Sequence, residues 1–219
     1  AGGRLPYRTA LVKDSRLCAW AAGGPPHRAP DSEQNPRQRA EFPKLAAHLA
    51  EAEIARRPNL AVHRINVVAG GGGSTLLSQR SRLALRVQRE QVVSLAPLAG
   101  ARLDVGGHAV QLGRAQLREL LPYGTLYSYL VTTGDDDELV FQAKIERELE
   151  AMGVSARPIC GRRHTVAVDD EGDVAGFSLM LDGLSPIASM QVLQTGLGRH
   201  RRVGCGVFVP HKSAAALRA

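Results

Sequence analysis

The sequence predicts a mixed α+β protein built from two tandem units, each running β-α-β-β-α-β. Three observations carry this reading. The same order of apolar patterns occurs twice along the chain, which is the split βαβ arrangement. The 219 residues suffice for two cores of about 100 residues each, without disulfide or metal staples. The hydrophobic fraction of 44%, with 22% charged residues, is that of a folded globular chain rather than a disordered one.

The first unit, residues 1–116, opens with an apolar stretch at 5–12 that predicts a strand. Residues 21–40 carry four prolines and no apolar rhythm, so they predict an irregular loop. Residues 41–55 predict a helix: Pro43 suits its first turn, and Leu45, Leu49 and Ile54 mark one face. A strand follows over 60–69, with Ala61, His63, Ile65 and Val67 on one face. The GGGGS string at 70–74 cannot hold regular structure and reads either as a hairpin tip or as an engineered linker. Residues 82–88 alternate, which places Leu83, Leu85 and Val87 inside a half-buried strand. Residues 90–98 predict a short helix, and 102–105 with 109–112 a hairpin around Gly106-Gly107. The boundary is expected within 114–123.

The second unit, residues 117–219, begins with a strand over 125–132, in which Tyr127 and Tyr129 share one face. Asp135-Asp136-Asp137-Glu138 opens a helix that runs to about Met152, since acidic residues favour the positive end of the helix dipole. Phe141, Ile145, Leu149 and Met152 form its buried stripe, and Gly153 closes it. Strands over 158–168 and 174–181 are joined by a turn at 169–173. Ser185-Pro186 reads as a cap followed by a first-turn proline, with Ile187, Met190, Leu193 and Leu197 inward. A basic glycine-rich loop spans 196–206, a last strand 207–209, and a small-residue tail begins at Ser213.

Charge narrows the function. The formal net charge is +7, and of the 28 basic residues four are lysine and 24 arginine. Forked guanidinium donors suit phosphate and base edges, so a polyanionic partner is one reading. A GC-rich genome that spells basic residues as arginine is the other. Cys18, Cys160 and Cys205 are widely spaced, which fits neither a disulfide framework nor a zinc site and points to a reduced, cytoplasmic compartment. No apolar run reaches the length of a membrane span, and the start of the chain has no signal pattern.

Local charge is densest at Gly196-Leu197-Gly198-Arg199-His200-Arg201-Arg202-Val203-Gly204-Cys205-Gly206-Val207-Phe208-Val209-Pro210. Glycines let a backbone approach a phosphate, and the three arginines with His200 bring charge to the same place. Neither GK[ST] nor GxGxxG is present, so this is not a nucleotide loop. It reads as an RNA-phosphate contact, against the plainer reading of a solvated basic turn. His108 reads as exposed filler. His164, beside Arg162-Arg163, reads as either a wall of an RNA path or a surface strand residue.

This run resembles the C-terminal loop of the CRISPR repeat-processing endoribonucleases, the sixth Cas family, and is closest to a group from GC-rich bacteria with a G-x-G-x-x-R-x-x-G-C-G-x-F-x-P string. Cys160-Gly161-Arg162-Arg163-His164, Gly176-Phe177-Ser178-Leu179, LAVHRI at 60–65 and SQRSRLALRV at 78–87 are similar to the same group, so the resemblance covers about 58–212. It implies two tandem ferredoxin-like (RRM-like) domains. It also implies cleavage of CRISPR repeat RNA at a stem-loop, without metal or cofactor, through the 2′-hydroxyl, leaving a 2′,3′-cyclic phosphate. The resemblance further implies that the protein stays with its product among other Cas proteins of an interference complex. The catalytic histidine is then expected in or beside the first helix: His48 leads, His27 in the preceding loop is second, and His63 is third. The RNA-binding candidates are Arg162, Arg163, Gly198, Arg199, His200, Arg201, Arg202, Gly204 and Lys212. The alternative is a non-catalytic subunit of the same architecture that holds guide RNA.

Overall fold

The computed structural model describes residues 7–13, 60–64, 68–69, 75–76, 82–105, 108–168 and 171–211. Two four-stranded antiparallel sheets organise them. In the first, β1 (Tyr7–Lys13), β2 (Ala61–Val62), β5 (Arg82–Gln88) and β8 (Arg114–Glu119) lie in the order β2-β5-β1-β8. In the second, β9 (Thr125–Val131), β10 (Arg157–Val168), β11 (Gly172–Asp182) and β12 (Val209–Pro210) lie in the order β10-β11-β9-β12. Counted within each half, both orders are second, third, first, fourth. The repeat seen in the element order is therefore repeated in the pairing.

The second half follows its sequence closely. Helix α1 (Glu138–Ala151) starts where Asp137 accepts the Val140 N–H, at 2.9 Å. Phe141, Ile145 and Leu149 are buried along it, and Gly153 ends it at φ +66°. Helix α2 (Pro186–Thr195) starts at Ser185, whose hydroxyl accepts the Ala188 N–H. Both helices pack on one face of the sheet, where Leu126, Val131, Phe177, Leu179, Leu181, Val192, Leu193 and Phe208 complete the core.

One inward assignment fails. Ile187 is 82% exposed, while Ala188, Ser189 and Val192 take the buried positions with Met190, Leu193 and Leu197. Turning the stripe by one residue lets the small Ala188 and Ser189 approach the sheet, and Ser189 Oγ then accepts the Tyr123 N–H.

The first half departs more. Leu83, Leu85 and Val87 are buried as their alternation requires. The expected strand over 60–69 is instead two pieces, β2 and β3 (Val68–Ala69), and β3 pairs with β4 (Thr75–Leu76). Residues 70–74 lie outside the described residues, but Ala69 opposes Thr75 across them, as in a hairpin. The helix expected at 90–98 is two 3-10 segments, Arg89–Gln91 and Val93–Leu98. Val92 and Val93 are poor helix formers, and Pro97 has no N–H for an α-helical ladder. The hairpin β6 (Arg102–Val105) and β7 (His108–Gln111) forms, but as a separate ribbon. The fourth strand of the sheet is β8, whose six residues, RAQLRE, are all exposed. A strand without an apolar face gives no alternation to read. It also runs across residue 116, so the chain changes sheets at 120–124. The helix expected at 41–55 and the loop at 21–40 lie outside the described residues.

Among the described residues, no helix is long and apolar enough to cross a membrane.

Candidate nucleic-acid interface

The glycine-rich loop closes the end of β9. Arg199 donates its N–H to Thr132 O at 2.8 Å, and Thr132 Oγ1 returns a bond to Arg199 O. Gly206 N–H donates to Leu130 O at 2.7 Å, and Gly198 N–H to the Glu148 carboxylate on α1 at 2.8 Å. The expected reason for the glycines was close approach to phosphate. The structure gives an internal reason for them. A Cβ on Gly206 would strike Leu197 O, one on Gly196 the oxygen of Gly206, and one on Gly198 the oxygen of Thr132. Gly196, Gly198, Gly204 and Gly206 all have positive φ. The loop is thus a folded plug of backbone packed on backbone, with many of its amides already engaged.

Its cations divide. Arg199 and Arg202 are exposed. Arg201 turns inward, and its Nη2 donates to Gln194 O at 2.9 Å, so it does not stand in solvent as an RNA contact would. His200 sits in the left-handed region at φ 60°, and its half-buried ring lies 3.5 Å from the Glu171 carboxylate. Of the second predicted pair, Arg163 meets Asp136 at 3.3 Å, whereas Arg162 is exposed without an ion pair among the described residues. Lys212, His48 and His27 lie outside the described residues.

A second set of basic groups lies where the two sheets meet. Arg86 is on β5, on the face opposite Leu85, and is 2% exposed. Its Nη1 donates to Leu193 O at 2.6 Å and its Nη2 to Phe208 O at 2.8 Å. Leu193 and Gln194 belong to the last turn of α2, whose carbonyls have no helical partner and carry the negative end of the dipole. Arg86 and Arg201 together cap that end. Burial and the neighbouring Arg201 lower the Arg86 pKa to about 9, so it is charged at neutral pH.

His63 lies beside this pair. Burial, then Arg86 and Arg201, lower its pKa to about 3, and its Nε2 is buried with no hydrogen-bond partner among the described residues. A histidine held neutral has no proton to give a leaving oxygen and is a weak base. In this structure the third catalytic candidate is therefore held in its neutral form.

Further along the junction, the Arg64 guanidinium lies 3.6 Å from the centre of the Tyr129 ring, and the His164 ring is 4.1 Å from the same ring, centre to centre. Tyr127, on the same face of β9, lies 5.4 Å from His211. Burial, Arg64 and Arg162 lower the His164 pKa. Sequence reasoning missed Arg64, Arg86 and Glu148. Arg64 follows a strand end, and Arg86 occupies the polar parity of its strand, so neither position carries a pattern. Of the two described cysteines, burial raises the Cys205 pKa to about 12, and burial and Glu138 raise that of Cys160, so neither is activated as a thiolate.

The chain is similar to known proteins. The model of the Cas6 Crispr family matches residues 43–213. The CRISPR-associated endonuclease Cas6 of Myxococcus xanthus (strain DK1622) is 39% identical over 178 residues, which are 81% of this chain and 76% of that protein. Two solved structures have the same fold. A Cas6-related protein from Pyrococcus furiosus has a TM-score of 0.56 at 13% identity, covering 93% of this chain and 98% of that one. A RAMP protein described as binding different RNA substrates has a TM-score of 0.54 at 12% identity, covering 94% and 98%. By the family match over most of its length and by the identity to the Myxococcus protein, the chain belongs to the Cas6 family of CRISPR-associated endonucleases.

Proposed function

We propose that this protein binds the repeat stem-loop of a precursor CRISPR RNA and cuts it to release guide RNA. The observation that carries the reading is the family match over 43–213 together with the 39% identical endonuclease. The equal strand orders of the two sheets support reading each half as a ferredoxin-like unit.

In this reading the cut needs no metal or cofactor. The 2′-oxygen beside the scissile phosphate attacks phosphorus, the bond to the 5′-oxygen breaks, and a 2′,3′-cyclic phosphate remains. One group takes the 2′-proton, another protonates the leaving oxygen, and a cation offsets the added negative charge on phosphorus. Histidine suits the proton steps near neutral pH. With His63 half-buried and held neutral, His48 leads and His27 is second. Arg199, Arg202 and Arg162 are the predicted contacts whose guanidinium groups face solvent, and stem recognition through phosphates suits them. The protein stays bound to its product in the cytoplasm, as a subunit of an interference complex.

The test incubates the protein with labelled repeat RNA in EDTA, beside RNA carrying a 2′-deoxy group at the cut site. Cleavage of the first alone is expected. His48→Ala should slow cleavage about 100-fold or more while sparing binding, the range of a lost general acid or base. An unchanged rate moves the role to His27. Binding without cleavage by the wild type supports the non-catalytic guide-RNA subunit instead.

A further inference from the structure

The junction holds more exposed positive charge than the glycine-rich loop alone explains. Most arginines with a described partner are neutralised or engaged: Arg89 by Glu119, Arg157 by Asp182, Arg163 by Asp136, Arg86 and Arg201 by carbonyls. Arg64 and Arg162 are different. Both are exposed, and among the described residues neither has a carboxylate partner. They come from opposite halves of the chain, Arg64 just after β2 and Arg162 at the bulge of β10 between Cys160 and Arg163.

Arg64 rests on an aromatic floor. Arg64 lies over the Tyr129 ring at 3.6 Å, and His164 lies against that ring at 4.1 Å. A guanidinium laid on a ring uses its flat face for the cation–π contact. Its N–H donors lie in the plane and point outward, where they match the forked geometry of a phosphate. The stack thus holds Arg64 in one orientation before any ligand arrives, which lowers the entropy lost on binding.

We propose that Arg64 and His164, both set against Tyr129, together with Arg162 two residues before His164 on β10, form a second RNA-phosphate site that spans the two halves and is separate from the glycine-rich loop. This site rests on the RNA-processing reading above. It takes the sugar–phosphate backbone rather than a base, because the Tyr129 ring already has Arg64 and His164 stacked on it. A phosphate there draws the two arginines to one ligand, so the same contact that binds RNA also ties the halves together.

The test measures repeat-RNA affinity against salt for the full chain and for Arg64→Gln, Arg162→Gln, the double variant and Arg163→Gln. Each of the first two should weaken binding about 5-fold at low salt and reduce the slope of log K against log salt by about 1, as one lost phosphate contact does. Arg163→Gln should change the slope less, because Asp136 already neutralises that charge. Arg64→Lys, which keeps the charge, should retain most of the slope. If the wild type binds and Arg64→Gln leaves affinity and slope unchanged, the site is wrong and the RNA reading stands. If Arg64→Lys loses as much slope as Arg64→Gln, the group acts through the stack and the phosphate assignment is overturned. If the wild type does not bind repeat RNA at all, the reading itself fails and takes the site with it.

Discussion

In the glycine-rich loop three arginines fall within four residues, and the fold turns the middle one, Arg201, onto the end of α2. At the junction of the sheets the basic residues are scattered in sequence at 64, 86, 162 and 164, and the fold gathers them. The loop is conspicuous as a string and largely structural in space. At the junction Arg64 and Arg86 carry no pattern in the string, and Arg64 and Arg162 are exposed without a carboxylate partner among the described residues, as Arg199 and Arg202 are in the loop. The difference teaches that glycine and arginine density marks a place where the backbone must pack tightly, and that charge free to meet RNA is found only by asking which guanidinium groups lack a partner.

The sharpest way to break this comparison is Arg86. Arg86→Ala removes the donor to both Leu193 O and Phe208 O and leaves a cavity between the halves. Orphaned buried carbonyls cost about 1–3 kcal/mol each, so a loss of about 3–5 kcal/mol in unfolding free energy is expected. Arg86→Lys should recover only part, since an ammonium cannot fork to two carbonyls fixed this way. A denaturant titration that gave Arg86→Ala the wild-type midpoint would show that the junction does not depend on this residue.

Glycine chemistry gives a smaller contrast within the loop's own logic. Gly206 and Gly153 have nearly the same backbone, φ +63° and φ +66°, yet a Cβ on Gly153 meets open space while one on Gly206 meets Leu197 O. Gly153→Ala should cost about 1 kcal/mol, the penalty of the left-handed conformation alone. Gly206→Ala adds displacement of the plug and should cost about 2–3 kcal/mol. Equal unfolding midpoints for the two variants would mean that the loop relaxes freely, and the plug description would be wrong.

How much of this was legible depends on where a residue's partners lie. The second half follows from local rules. Asp137 and Ser185 cap helices, Gly153 ends one, and the stripe of Phe141, Ile145 and Leu149 is buried, because each of these acts within its own helix. Ile187 shows the limit: helical spacing alone allowed either face, and packing of the small Ala188 and Ser189 decided it. In the first half, β8 escaped because an exposed edge strand has no apolar face. At the site, Arg199, Arg202 and Arg162 were legible as charge. Arg201 was legible as charge but not as a helix cap, since its acceptor is set by the turn of the loop. Arg64 and Arg86 have partners more than sixty residues away, and no spacing rule reaches that far.

The gentlest probe of the junction is pH. His63 is neutral when folded, with a pKa of about 3 against an ordinary value of 6.5. Between those values the unfolded chain binds a proton there that the folded chain refuses, so unfolding takes up protons and stability falls as pH drops below 6.5. The contribution is fully present above that pH, erodes steadily through the acid range, and stops changing below about pH 3, where both states are protonated. One pH unit of such mismatch is worth about 1.4 kcal/mol, so about 2 kcal/mol should be lost by about pH 5. His164, also lowered by burial and by Arg64 and Arg162, adds to the same trend, and carboxylates begin to add below that pH. The measurement is therefore a difference. Unfolding free energies of wild type and His63→Gln are compared at about pH 7.5 and about pH 5, and the wild type should lose about 2 kcal/mol more than the variant. Parallel losses would place His63 in contact with solvent, and would return it to the set of histidines able to move a proton during cleavage.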